Sequence, residues 1–171
     1  IASMFTINPI WNYGPYDPSP VSAGTQPDWY IGWLDGALRL APSGWDVVIA
    51  GFVIPMGVMV PLVVSLVFLA LVAAYPFIEN WVTKDKREHH VLDRPRNAPT
   101  RTAIGAAGVT FYGVLWAGAS TDLIATNFQM SLNQVLTAMQ ILLILGPVIA
   151  YWVTKRACLS LQRKDREMVL H

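Results

Sequence analysis

This sequence has few charged residues. Only 13% of its 171 residues are Asp, Glu, Lys or Arg, whereas a water-soluble domain of this length carries about 25%. Cysteine is nearly absent too, and a single Cys158 excludes both an internal disulfide and a Cys-x-x-Cys metal site. The sequence contains no nucleotide-binding glycine loop, no Ser/His/Asp arrangement and no His-Glu-x-x-His motif. These absences argue against a soluble enzyme and indicate a chain that lies partly in lipid.

The sequence contains three long runs without a charged residue. They cover 47–78, 102–121 and 123–154, and a helix needs about 20 apolar residues to cross a membrane. We therefore expect transmembrane helices at 47–81, 102–121 and 132–154. Residues 1–7, which are apolar and precede Asn8-Pro9, are interpreted as the end of a preceding helix, so the sequence is interpreted as a fragment. The predicted fold class is all-α, a polytopic transmembrane helix bundle with a short interfacial amphipathic helix.

The basic residues lie almost entirely in two segments. Eleven of the twelve Lys and Arg residues fall within 82–101 and 155–171, which the positive-inside rule makes a cytoplasmic loop and a cytoplasmic tail. The connection 122–131 and the segment 8–46, whose only cation is Arg39, are then expected outside. This distribution predicts a multi-pass membrane protein whose basic loop and C-terminal tail are cytoplasmic.

The outer segment contains a short amphipathic stretch that begins at Pro27-Asp28. Its apolar residues repeat at helical spacing and are predicted to share one face: Tyr30, Trp33, Leu34, Ala37 and Leu38. Asp35 and Arg39 are four residues apart on the other face, the spacing of a helical ion pair. Asp28 has two interpretations. It can cap the helix N-terminus, or it can accept a proton from a membrane-soluble substrate, since a poorly solvated carboxylate has a raised pKa.

The other candidate ligands do not form a site. His89 and His90 are adjacent in the basic loop and His171 is terminal, so no metal site is expected. Cys158 is interpreted as a bystander at the inner interface, because nothing in the sequence marks its thiolate as stabilised beyond nearby cations.

The motif at the start of the amphipathic stretch resembles that of a known family. Pro27-Asp28-Trp29-Tyr30 is similar to the Pro-Glu-Trp-Tyr motif of the quinol-oxidation site of cytochrome b, in cytochrome bc complexes. The string from Asn8 to Pro20, followed by 26–40, resembles the actinobacterial form of that subunit. The resemblance covers nearly the whole chain and implies the end of the fifth transmembrane helix, the linking loop and the last three helices.

The resemblance implies an activity and a role for each motif residue. Quinol would be oxidised near the outer face, with one electron passing to a Rieske [2Fe–2S] protein, the other to a low-potential haem b, and two protons released outside. Asp28 and Tyr30 would be catalytic, and the substrate-binding residues would be Pro27, Trp29, Ile31 and Leu34. Asp is one methylene shorter than the family's Glu, which reduces its reach by roughly 1.3 Å and favours a water-bridged contact. Menaquinol is favoured over ubiquinol as the substrate.

The resemblance also implies cofactors and partners outside this chain. Two b haems would be held by paired histidines in the missing N-terminal half. The expected partners are that haem-binding part of cytochrome b, the Rieske protein, a c-type cytochrome subunit, lipid and a second copy of the complex, with no nucleic acid. The alternative is a non-catalytic membrane scaffold or transporter segment in which Asp28 only caps a helix. Pro55 and Pro61 would suit a transporter's broken helix, but no charged residue lies at mid-membrane to support ion coupling.

Overall fold

The computed structural model describes residues 15, 17, 29–42, 44, 46–84 and 93–170. Most of them are helical, which confirms the predicted all-α class. The helices are α1 (Gly32–Leu40), α2 (Met56–Thr83), α3 (Pro99–Gly118), α4 (Thr121–Asn127) and α5 (Leu132–Leu170). A hairpin of β1 (Val47–Ile49) and β2 (Phe52–Ile54) precedes α2, and a 3-10 turn at Pro95–Asn97 precedes α3.

Two of these helices have the length and composition of membrane spans. α2 and α5 each qualify separately, whereas α3 qualifies only together with α4, to which it is joined at a 67° bend. The described part of the chain therefore holds two candidate spans, or three when the bent pair is counted as one. Most large apolar side chains of α2 are exposed in the chain alone, as expected of a helix that is apolar all round and faces lipid or other subunits.

The first predicted span starts later than expected. A helix was predicted from Val47, but residues 47–54 form an antiparallel hairpin in which Val48 pairs with Val53. Ala50 and Gly51 have φ values of 51° and 83°, the positive values that a tight hairpin turn requires. The helix begins at Met56, where the Pro55 carbonyl accepts the Val58 and Met59 N–H groups. The prediction is wrong for 47–55, because apolarity alone does not distinguish a buried strand from a helix.

The last helix is longer than its predicted span. It begins with a reciprocal cap in which Ser131 N–H donates to Gln134 Oε1 (3.2 Å) and Gln134 N–H donates to Ser131 Oγ (3.3 Å). It continues past Pro147 to Leu170, 39 residues in all, which at 1.5 Å per residue is about 58 Å. The hydrocarbon core is only about 30 Å thick. The predicted tail from 155 onward is therefore a helical extension of the span.

The predicted outer loop 122–131 is also partly helical, because α4 occupies Thr121–Asn127. Asp122 lies in its first turn, where negative charge is favoured, and the Thr126 hydroxyl donates to the Asp122 carbonyl at 2.9 Å. The connection predicted between the two spans therefore contains a short helix of 7 residues.

The described residues divide into two compact units, Ile1–Leu62 with Tyr112–Leu142 and Val63–Phe111 with Leu143–His171. In the second unit two arginines of the predicted basic loop are paired with acids. Arg101 contacts Glu79 at 2.7 Å and Asp93 at 3.0 Å, and Arg96 contacts Asp165 at 2.9 Å. These pairs join the loop to the end of α2 and to the extension of α5. The first unit contains α1 and is described next.

Candidate functional site

The predicted site residues fall into two groups. Pro27 and Asp28 lie outside the described residues. Among the others, Trp29 is half-buried, whereas Tyr30, Ile31 and Leu34 are 42%, 44% and 38% exposed. The rings of Trp29 and Tyr30 meet edge to face with centroids 5.8 Å apart. The structure therefore brings the described motif residues and the two predicted lining residues together, at the start of α1 and on its exposed side.

The buried side of α1 differs from the predicted one. Five residues are buried: Gly32, Trp33, Gly36, Ala37 and Leu40. Trp33, predicted on the apolar face, packs against Tyr112 with ring centroids 5.6 Å apart. Tyr30, Leu34 and Leu38, predicted on the same face as Trp33, are exposed. Trp33 and Ala37 are buried as predicted for an apolar face, whereas the other three are not, because the glycines that permit the closest approach decide which side of α1 is buried.

Two glycines bring α1 into backbone contact with the end of α3. A Cβ placed on Gly36 would lie 1.6 Å from the Leu115 carbonyl oxygen and 3.1 Å from the Ala119 nitrogen. A Cβ on Gly118 would lie 2.9 Å from Leu40 Cδ1. Backbone atoms leave no room for a side chain at Gly36, whereas at Gly118 the Leu40 side chain would have to shift, so the docking of α1 depends chiefly on glycine at 36.

Hydrogen bonds from two other helices hold the ends of this segment. The Trp116 indole N–H of α3 donates to the Trp29 carbonyl at 2.7 Å. The Gln140 amide of α5 donates to the Leu40 carbonyl at 3.0 Å, satisfying one of the carbonyls that a helix leaves free at its C-terminus. The backbone of the motif residue Trp29 is thereby tied to the bundle.

Arg39, the one basic residue outside the two basic segments, is paired with two nearby carboxylates. Arg39 Nε lies 2.7 Å from Asp35 Oδ2, the predicted ion pair, and Arg39 Nη1 lies 3.2 Å from Asp122 Oδ1 of α4. Asp35 Oδ2 has no well-aligned hydrogen bond among the described residues, so the first contact is chiefly ionic. Arg39 therefore links α1 to α4.

The structure also bears on the capping interpretation of Asp28. The N-cap residue of α1 is Ile31, which makes no side-chain capping hydrogen bond, and the first helical carbonyl, that of Ile31, accepts the Leu34 and Asp35 N–H groups. Asp28 is three positions before this cap. Asp28 itself lies outside the described residues, so its role as a cap stays a prediction.

The described residues contain no group of three or more His, Cys, Asp or Glu able to hold a metal ion. His89, His90 and His171 lie outside the described residues. The part of the chain that the structure describes therefore contains no histidine pair for the axial ligation of a haem.

Trp116, Gln140 and Gly36 were not predicted from the sequence to take part in the site. The spacing of Gly32 and Gly36 was a usable signal, because small residues four apart mark close helix contacts in membranes. Trp116 and Gln140 had no comparable signal, because each donates a hydrogen bond to a residue far away in the sequence. The separations are 87 and 100 positions.

Fold and site together define a polytopic helical membrane protein that carries an aromatic motif on a short helix docked against its spans. No family model matches the sequence, but individual proteins do. The chain is 53% identical over 171 residues to the cytochrome bc1 complex cytochrome b subunit of Streptomyces coelicolor, 45% to that of Mycobacterium leprae and 44% to that of Corynebacterium diphtheriae. Each alignment covers 100% of this chain and 31% of the relative.

The chain is therefore similar over its whole length to one part of the cytochrome b subunits of bc1 complexes, which confirms the resemblance seen in the sequence. It spans about 31% of the length of the relatives that it matches.

Proposed function

We propose that this chain forms part of the outer-face quinol-oxidation site of a cytochrome bc complex, within a quinol–cytochrome c reductase. The observation that carries the proposal is the arrangement around α1. The motif residue Trp29 is tied by its carbonyl to α3, while Tyr30, Ile31 and Leu34 remain exposed beside it. A rigid backbone that presents a polar aromatic residue and apolar side chains is suited to binding a lipid-soluble ring.

In this proposal the chain's own residues bind the quinol and take its protons. Oxidation of one quinol to quinone releases two protons and two electrons. The Asp28 carboxylate accepts a proton from a quinol hydroxyl and Tyr30 orients the ring by hydrogen bonding, while Pro27, Trp29, Ile31 and Leu34 form the surrounding surface. The electrons leave to a Rieske [2Fe–2S] protein and a low-potential haem b, neither held by this chain. Menaquinol is the proposed substrate.

The proposed setting follows from the charge pattern and from the relatives. The two basic segments face the cytoplasm and the Asp28 segment faces outward, so protons are released outside a bacterial plasma membrane. The proposed partners are the haem-binding remainder of cytochrome b, the Rieske protein, a c-type cytochrome and a second copy of the complex. The names of the relatives support this setting, since each is the cytochrome b subunit of a bc1 complex.

The test is Asp28→Asn in the full complex, with turnover measured per haem b so that poor assembly is not mistaken for poor catalysis. Loss of a positioned acid-base group lowers rates by about 10²- to 10⁴-fold, and we expect quinol-dependent cytochrome c reduction to fall by at least tenfold. Asp28→Glu, which restores the longer acid, should remain active. Asp46→Asn removes an exposed acid from the same segment and serves as the control.

Asp28→Ser separates catalysis from a structural role. Serine caps helices as well as aspartate does but accepts no proton at neutral pH, so we expect it to be as inactive as Asp28→Asn. Wild-type turnover of Asp28→Ser at every pH would refute the proposed role of the carboxylate.

A further inference from the structure

We propose that Trp116 is a positioning residue of the quinol site, acting through the hydrogen bond from its indole N–H to the Trp29 carbonyl. The inference rests on the proposed function and deepens it, because it identifies what fixes the motif in place. Trp116 belongs to α3, 87 positions from its acceptor along the chain, and it is not part of the four-residue motif.

The geometry of the bond makes it an orienting contact. At 2.7 Å it is at the short end of the range for N–H···O hydrogen bonds. The acceptor is the carbonyl of the peptide that joins Trp29 to Tyr30, so the bond fixes the plane of that peptide. Asp28 is bonded to one side of Trp29 and Tyr30 to the other. One indole thereby fixes the backbone from which Tyr30 extends and anchors the residue that directly follows Asp28 in the chain.

The neighbouring glycine is a second and independent observation. A Cβ on Gly32 would lie 3.0 Å from Trp116 Cδ1 and 3.2 Å from its Nε1, so the indole edge lies directly against the first turn of α1. Glycine at 32 leaves space for the ring to reach past the helix to the Trp29 carbonyl. Nevertheless, 45% of the Trp116 surface remains exposed, so burial of the ring alone does not account for its placement.

A purely structural role and a positioning role predict different results. If Trp116 only stabilises the fold, its loss lowers the amount of assembled complex and leaves turnover per haem b unchanged. If it positions the motif, assembled complex turns over more slowly and the pH dependence of turnover changes, because the proton acceptor is misplaced.

The experiment is Trp116→Phe in the full complex, assayed for quinol-dependent cytochrome c reduction per haem b across pH. Phenylalanine keeps an aromatic ring and lacks the N–H donor. We expect kcat to fall by about three- to tenfold, the effect of one hydrogen bond on a rate, with KM changed less than kcat and the acidic limb of the pH profile displaced. Trp81→Phe, which alters a tryptophan that is 80% exposed, should match wild type.

A second variant covers the case in which Trp116→Phe does not assemble. Gly32→Ala keeps the indole and displaces it by a few tenths of an ångström, so it should lower kcat in the same direction by a smaller factor. Wild-type kcat and pH profile in either assembled variant, with Asp28→Asn inactive, would overturn the role of Trp116 and leave the proposed function standing. Wild-type turnover of Asp28→Asn would remove the proposed function and this inference together.

Discussion

Substitution of Gly36 by alanine tests how firmly α1 is docked. The added methyl would lie 1.6 Å from the Leu115 carbonyl oxygen and 2.7 Å from its carbon. Non-bonded heavy atoms rest about 3.5 Å apart, so α1 must withdraw by about 2 Å. Backbone atoms of α3 cannot rotate away as the end of a side chain can, and the helix itself has to move.

The expected magnitude follows from what that displacement breaks. It would break the hydrogen bond from Trp116 to the Trp29 carbonyl, now 2.7 Å long, and the one from Gln140 to the Leu40 carbonyl, now 3.0 Å long. Each lost bond costs about 1 kcal/mol, and overpacking adds about 1–3 kcal/mol. The free energy of docking of α1 should therefore fall by about 3–5 kcal/mol. The equilibrium constant for its local opening then rises by a factor of about 10² to 10⁴.

Amide hydrogen exchange of the purified full complex, read by mass spectrometry over residues 29–42, measures this opening directly. The matched control is Gly113→Ala, in the same unit, where an added Cβ would have nothing within 4 Å. We expect exchange in α1 to accelerate by at least a hundredfold in Gly36→Ala and to be unchanged in Gly113→Ala. Equal protection in both variants would refute the close backbone contact.

Two further substitutions test the remaining contacts of α1. Gln140→Leu removes the donor to the Leu40 carbonyl, and we expect exchange at the C-terminal end of α1 to rise by about fivefold, corresponding to about 1 kcal/mol; no change there would show that the amide is not a cap. Arg39→Met breaks the ion pairs with Asp35 and Asp122, which are partly exposed and worth at most about 1 kcal/mol. The thermal midpoint of the complex should fall slightly at low salt and converge with wild type in 1 M salt, where such pairs are screened. A difference that persists in 1 M salt would contradict this origin.

The long apolar spans could be predicted from the sequence because their physical cause is local. A helix in lipid satisfies its own backbone groups and needs an uncharged run of sufficient length, and α2 and α5 have both. The ion pair of Asp35 and Arg39 was likewise predictable, since a spacing of four residues places both side chains on one helical face. The family could be recognised from the motif and its loop.

The features that were missed depend on the surroundings. The hairpin at 47–54 is as apolar as the helix that follows, and only Ala50-Gly51 between two runs of largely β-branched residues distinguished it. The docked face of α1 was assigned by large side chains, whereas Gly32 and Gly36 decide which face approaches α3. The contacts of Trp116 and Gln140 arise from tertiary placement, which no local pattern in this sequence encodes.

The two hydrogen bonds that hold the ends of α1 have a consequence for how a substrate can be accommodated. With the Trp29 and Leu40 carbonyls held in place, α1 can move as a rigid body only by rotating about the line that joins them. That rotation would either push Gly36 into the Leu115 carbonyl or move Gly36 away from it. Any induced fit at the exposed residue Tyr30 must therefore come from torsions of its own side chain, while the helix behind it stays still.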